Sequence, residues 1–272
     1  LARSAREARR TPSASEVRAG RKGKGPKMSA QRDTLVVATT NRGKLEELRA
    51  LLAGLPVDVR SVSDVLGAPL HVVEDGATFA ANAVKKARAA AHATMMLTVA
   101  DDSGLEVDVL DGRPGVRSAR FAHERATDAE NNAALLGALA ALCDPVTGAP
   151  GGASVRPPAG SQPPPGGGEG GDGFRARFRC VLALVDPFTG GGEPRTVEGV
   201  CEGTVTRVPR GSGGFGYDPL FVVAGTDRTM AELSEDEKNR LSHRALAFAA
   251  LRPLLEDVLR ERASQLDRIA GG

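Results

Sequence analysis

The chain has 272 residues, a net charge of +2 and three cysteines, Cys143, Cys180 and Cys201. No apolar run approaches the roughly 18 residues that a membrane span needs, and three widely spaced cysteines in apolar surroundings read as buried thiols, not as a disulfide framework or zinc site. Ten Lys/Arg against Glu7 and Glu16 give the first 32 residues a net of +8, which can bind nucleic acid or anionic membrane non-specifically, while the rest of the chain is −6 and gives no such signal.

The basic segment 1–32 has almost no large apolar side chains and cannot repay the entropy of ordering, so a disordered tail is expected there. Met28 is the expected natural start, with 1–27 as upstream extension. Leu35–Ala38 reads as a short buried strand. Lys44–Ala53 reads as a helix, with Leu45, Leu48, Leu51 and Leu52 on one stripe. Thr78–Ala93 is Ala-rich and helical. Leu97–Ala100 is a strand expected to end in the Asp101-Asp102-Ser103-Gly104 turn, and Leu105, Val107 and Val109 then alternate as a half-buried strand. Thr127-Asp128-Ala129-Glu130 is a capping box opening a helix through Leu142.

The Pro/Gly-rich stretch 145–173 reads as a flexible insertion. Phe174–Asp186 alternates strongly and then turns apolar on both faces, as a strand entering a sheet interior does. The Thr189–Gly192 turn and a strand over Thr196–Val208 complete an antiparallel hairpin. Ser234-Glu235-Asp236-Glu237 is a second capping box, and Leu246–Leu259 is helical with a kink at Pro253. These elements make one α/β domain over 33–264, built on a mixed sheet with flanking helices.

Five polar motifs interrupt this pattern. Thr39-Thr40-Asn41-Arg42-Gly43-Lys44 joins a strand to a helix, where backbone amides bind anions and Lys44 adds a charge; a plain polar turn with a surface lysine is the alternative. Glu74 precedes the Gly76 turn, and Asp101 and Asp102 are neighbours whose side chains should point to opposite faces. One carboxylate can then face a cleft, as magnesium sites require, or the pair can be an acidic turn. Gly214-Phe215-Gly216-Tyr217-Asp218-Pro219 presents a ring among glycines, which suits base stacking or a turn with an anchoring ring. Glu237-Lys238-Asn239-Arg240-Leu241-Ser242-His243-Arg244 places His243 and Arg244 after a cap.

In this order the motifs resemble the non-canonical purine NTP pyrophosphatase family, the inosine/xanthosine triphosphate pyrophosphatases, over roughly residues 34–260. Thr40 stands where that family often has Gly, Asp75 where it has Thr, and Ala245 where Gly is frequent. The resemblance implies hydrolysis of ITP, dITP or XTP to the monophosphate and pyrophosphate, which cleanses the nucleotide pool. It implies that Thr39, Thr40, Asn41, Arg42, Gly43, Lys44 and Lys238 hold the triphosphate and that Glu74 and Asp102 bind Mg2+. Asp102 would orient or deprotonate the attacking water, with Asp101 as its support. Ser103 would contact the nucleotide and Phe215 would stack on the base, in a loop with Gly216 and Tyr217. Asp218, His243 and Arg244 would lie at the base edge. An elongated fold with two lobes around a nucleotide cleft, a homodimer and a cytoplasmic location are expected, with neither a membrane nor a specific nucleic acid as partner.

Two rivals meet contrary residues. The paired Phe215–Pro219 and Ser242–Arg244 motifs argue against a septum-inhibitor type of pyrophosphatase acting on modified pyrimidine triphosphates. Glu74, Asp102 and Lys44 argue against a non-catalytic nucleotide sensor, which need not keep a water-activating carboxylate.

Overall fold

A computed structural model describes residues 32–143 and 173–270. The tail and the insertion expected from the sequence lie, save for their inner ends, outside the described residues. β1 (Asp33–Val37) leads through α1 (Arg42–Leu52) to β2 (Val57–Ser61), which pairs parallel to β1. A short α2 (Val62–Leu66) and then α3 (Phe79–Thr94) return the chain to β3 (Leu97–Val107), parallel to β1 along its other edge. There follow α4 (Asp128–Cys143), the hairpin of β4 (Phe174–Val185) and β5 (Arg195–Val205), the short β6 (Phe221–Val223), α5 (Glu235–Leu241) and α6 (His243–Ala270). The sheet order is β2-β1-β3-β4-β5-β6, antiparallel from β3 onward. This is the mixed α/β sheet that the alternating pattern implied.

Local chemistry explains where the helices begin. The Asn41 side chain accepts from the Lys44 N–H (3.0 Å), capping α1. Thr78 does the same for α3, accepting from the Ala81 N–H (3.1 Å). At α5 and at the start of α4, the expected boxes of Ser234 with Glu237 and Thr127 with Glu130 are both formed. Among the described residues, no helix is long and apolar enough to cross a membrane.

The long strands thread three apolar clusters. One face of the sheet buries Leu35, Val37, Leu97, Val99, Leu182 and Leu184 under α1 and α6. The other buries Val36, Ala100, Val181 and Ala183 under α3, whose Ala83, Ala87 and Ala90 allow a close approach. Farther along β3 and β4, Leu105, Val107 and Phe178 join Leu135 and Leu139 of α4 and Phe221. Each fully buried Leu contributes about 2 kcal/mol by loss of water contact. Along β3, Leu97, Val99 and Ala100 of the first two clusters precede Asp101–Gly104, and Leu105 and Val107 of the third follow it.

Three expectations change. The turn expected at Asp101–Gly104 is strand, because β4 pairs with β3 without a break from Thr98 opposite Val185 to Val107 opposite Ala176. Val109 then falls in a 3-10 turn with its side chain exposed, not in a half-buried strand. α6 begins at His243, three residues before the expected Leu246, where the Ser242 hydroxyl accepts from the Ala245 N–H (3.2 Å), and it continues past Pro253 to Ala270. β2, α2 and β6 are additional.

α6 rests directly on the backbone of β5 at Gly199. A Cβ there would overlap the Ala247 nitrogen and the His243 carbonyl oxygen, both main-chain atoms that cannot rotate away. Gly199→Ala is therefore expected to destabilise the fold by about 1–3 kcal/mol or more, as overpacking does. Urea denaturation checks this; an unchanged midpoint would mean that α6 has slack on β5.

Candidate functional site

β1 pairs with β3 only across Leu35–Val37 and Leu97–Val99, with one further bond from the Ala38 N–H to the Val99 carbonyl (2.8 Å). Beyond that point β3 keeps β4 on one side, and its other edge is next bonded at Leu105, whose N–H donates to the Ser118 hydroxyl (2.9 Å), followed by a bridge from Glu106 to Pro114. α1 lies on one face of the sheet and α3 on the other, so the chain reverses its winding beside β1. Carboxyl ends of strands at such a reversal are where open α/β sheets bind ligands.

Side chains along β3 alternate between the faces. Leu97 and Val99 face α1 and α6, while Ala100 faces α3. Asp101 continues the first series and Asp102 the second. Asp101 is 1% exposed, and its Oδ2 meets Lys44 Nζ at 2.9 Å, Arg244 Nε at 3.6 Å and the donating Ser103 hydroxyl at 3.2 Å. Burial alone would raise its pKa, but the charges of Lys44, Arg244 and Lys86 outweigh burial and hold the carboxyl well below the ordinary range.

Asp102 meets a different set. Its Oδ1 accepts from Lys86 Nζ (3.1 Å) and its Oδ2 from the Asn82 side-chain amide (3.1 Å). Lys86 Nζ also reaches Glu74 Oε2 (2.8 Å), so one ammonium sits between two carboxylates. Burial raises the Asp102 pKa above its usual value despite Lys86 and Lys44. Burial also acts on Glu74, but there the Lys86 charge prevails and the pKa is lowered. Among the described residues no group of three or more His, Cys, Asp or Glu side chains gathers as a closed metal cage. Glu74 and Asp102 are hard oxygen donors already arranged around a single positive charge. That donor set suits an ion such as magnesium, which takes one or two carboxylates and completes its shell from substrate phosphate and water.

Two cavities share Asn41, Lys44 and Ser103. The larger, about 400 Å³, is lined by Thr39, Thr40, Asn41 and Lys44 together with Glu74, Lys86, Asp102 and Arg120. The smaller, about 90 Å³, is bounded by Phe215, Gly216, Tyr217, Asp218, His243 and Arg244, together with Ser118 and Asp128. The Phe215 ring lies against Gly43, where a Cβ would come within 2.7 Å of it, and the Arg244 guanidinium stands 5.0 Å from its centroid. The loop that carries it is pinned by Gly216, which donates to Asp128 Oδ2 (2.7 Å) and accepts from Asn132 (3.0 Å), and by the Tyr217 hydroxyl, which donates to the Ser118 carbonyl (2.8 Å). Gly214 has φ +75°, and a Cβ there would overlap Asp218 Oδ2.

Arg244 is buried and donates to Glu47 Oε2 (2.7 Å) and to Ser103 Oγ (2.9 Å). Its charge is fixed: burial opposes it, but Glu47 and Asp101 raise the pKa further. His243 stacks on Phe178 at 4.8 Å, and burial with the nearby Arg244 and Lys44 charges keeps it neutral. Lys238, expected with the triphosphate groups, pairs here with Asp218 Oδ2 at 2.9 Å and with Glu47 Oε1 at 3.3 Å. Arg42 turns outward to pair with Glu46 and lines neither cavity. The other expected residues do converge here.

Glu47, Asn82, Lys86 and Arg120 were not singled out in the sequence. For Asn82 and Lys86 a signal existed. They lie at i, i+4 beside Phe79, Ala83, Ala87 and Ala90, the buried stripe of an alanine-rich helix, where a polar side chain needs a partner. Glu47 and Arg120 carry no such mark.

Asp101 gives a prediction about acid stability. Its pKa is depressed on folding, so its contribution is complete above the unfolded value, about 3.9, and is lost as pH falls through the folded one. Asp101→Asn is expected to cost about 3–5 kcal/mol at pH 7, as breaking a buried ion pair does, and less at pH 3. Urea denaturation of both proteins at the two pH values tests it; a gap that widens in acid contradicts the assignment.

A model of the Ham1 family matches residues 35–149 and 168–254. The dITP/XTP pyrophosphatase of Geobacter sulfurreducens is 44% identical over 218 residues, covering 80% of this chain and 94% of that protein. That of Bacillus subtilis is 41% identical over 221 residues, covering 81% and 96%. Among solved structures, a HAM1 protein from Coxiella burnetii superposes with a TM-score of 0.64 at 36% identity, covering 82% of this chain and 98% of that one. The sequence match spans most of the chain and the fold of the solved relative is shared, so the chain belongs to the Ham1 family.

Proposed function

We propose that the protein hydrolyses non-canonical purine nucleoside triphosphates, dITP, ITP and XTP, to the monophosphate and pyrophosphate, with magnesium as its metal. The observation that carries this reading is the pair of joined cavities: one lined with cations and carboxylates, the other with a ring and base-edge donors and acceptors. Relatives named dITP/XTP pyrophosphatases at 41–46% identity support the same substrate class.

The triphosphate lies in the larger cavity, where the amides opening α1 and the ammonium groups of Lys44 and Lys86 offset its charge. Magnesium, held by Glu74 and Asp102, would neutralise charge on the phosphate oxygens and polarise the reacting phosphorus. Asp102 orients a water toward the α-phosphorus and takes its proton. The bond from the α-phosphorus to the bridging oxygen breaks, and pyrophosphate leaves. Asp101 holds Lys44 and Arg244 in place and touches neither reacting atom.

The base occupies the smaller cavity. A hypoxanthine or xanthine edge presents a 6-oxo acceptor beside an N1–H donor, which Arg244 and Asp218 complement. Adenine reverses that edge and leaves buried polar groups unpaired, a strong ground for rejection.

The test is incubation with ITP, XTP, dITP, GTP, ATP and a modified pyrimidine triphosphate in the presence of magnesium, measuring pyrophosphate against orthophosphate. Pyrophosphate from the first three substrates is expected. Asp102→Asn should lower kcat at least about 100-fold without unfolding, and Asp101→Asn should lower it less. Stepwise orthophosphate release, or full turnover by Asp102→Asn, refutes the assigned bond and base.

Base choice is tested separately. Arg244→Ala should reduce kcat/KM for ITP by the equivalent of about 1–3 kcal/mol, the worth of a base-edge pair, with ATP falling much less. Phe215→Ala should weaken both alike, since every base has a π-face. The opposite pattern would mean that the ring, not the guanidinium, reads the base.

A further inference from the structure

The two carboxylates that face the larger cavity come from unlike places. Asp102 is held in the middle of a sheet. Glu74 stands in an irregular stretch between α2 and α3, with no ladder of its own. One buried side chain ties the two segments together. Asn82, on α3, is 0% exposed. Its amide donates to Asp102 Oδ2 (3.1 Å), and its carbonyl oxygen accepts from the Gly76 N–H (2.8 Å), two residues beyond Glu74. Gly76 has no Cβ for a reason of space: one would come within 2.6 Å of Asn82 Oδ1. The loop backbone can therefore reach the amide only at a glycine.

We infer that Asn82 is the positioning residue of the carboxylate pair: it fixes the rotation of Asp102 and the distance of the Glu74 loop from it, and so sets the metal-binding geometry. The inference rests on the reading of Glu74 and Asp102 as the metal pair. Asn82 lines neither cavity and touches no substrate. By engaging Oδ2, it leaves Asp102 Oδ1 turned toward Lys86 and Glu74, the oxygen that a cation would share. Both of its hydrogen bonds go to the segments that carry the pair. An oxygen left to rotate, or a loop left to drift, would disperse a donor set made of only two protein groups.

The experiment measures metal binding apart from turnover. Mn2+ is titrated with a non-hydrolysable α,β-imido analogue of ITP present, and free Mn2+ is followed by its electron paramagnetic resonance signal. Calorimetric IMP binding reports on the base pocket. Asn82→Ala should weaken Mn2+ about 10–100-fold and lower kcat similarly, as loss of an outer-shell partner does, with IMP affinity unchanged. Asn82→Asp is the second variant, since it keeps the shape and the acceptor for Gly76 and replaces only the donor that faces Asp102. It too should weaken Mn2+, although it adds a carboxylate that through charge alone would tighten binding. Mn2+ affinity equal to or above that of the wild type in either folded variant overturns the inference. The wild type and Asp102→Asn separate the two levels. If wild-type Mn2+ binding does not depend on Asp102 and no pyrophosphate forms, the underlying reading fails. If both hold and the Asn82 variants match the wild type, only the role of Asn82 fails.

Discussion

A bare negative charge in the middle of a sheet is the constraint on which the rest of this site depends. Asp101 is 1% exposed, and a carboxylate in such surroundings is tolerated only when it is paired and hydrogen-bonded. Its partners come from three places in the chain: Lys44 from α1, Arg244 from α6 and Ser103 from its own strand. Meeting this one demand draws the start of α1 to the start of α6 across the sheet edge. Glu47 then becomes a second anion that Arg244 and Lys238 share, and Lys238 in turn secures Asp218. The network orders the surroundings of the smaller cavity as a by-product of neutralising one buried group.

The sheet supplies the room for this arrangement. β3 outlasts β1, so its edge opens where the polar residues begin, while β4 continues to satisfy its backbone on the other side. The apolar clusters under α1, α3 and α4 lie to either side and carry the hydrophobic stabilisation. Charged groups can therefore concentrate in the gap between them without interrupting a core. α6 joins the two kinds of region. Its Leu251, Leu255 and Val258 are buried in one cluster, and its first turn carries His243 and Arg244.

Much of this was legible in the sequence because the informative residues are out of place by composition. The boxes at Thr127 and Ser234 announced helix starts, β4 announced itself by alternation, and a phenyl ring among glycines marked the loop at Phe215. The readings that changed depended on partners distant in sequence. Asp101-Asp102-Ser103-Gly104 looks like a turn until β4, some eighty residues later, pairs straight across it. That Lys238 is shared by Asp218 and Glu47 depends on residues far away in the chain, which no local pattern could show. β6 is three residues long, too short for any period to register. Asn82 and Lys86 lay hidden in an alanine-rich helix whose overall pattern was clear, so the polar exceptions on its buried stripe drew no notice.

Adjacent carboxylates on opposite faces of one strand have a consequence for how this segment can change over generations. Deleting one residue between Leu97 and Ala100 would move Asp102 into the place of Asp101, beside Lys44 and Arg244, and would give Lys86 the Ser103 hydroxyl. Every letter of the motif would survive, and each would meet the wrong partners. A strand has a period of two, so an odd shift inverts it completely. Substitutions here can be graded in effect, but insertions and deletions are all-or-none, and length between Leu97 and Gly104 should be held more tightly than identity at its apolar positions.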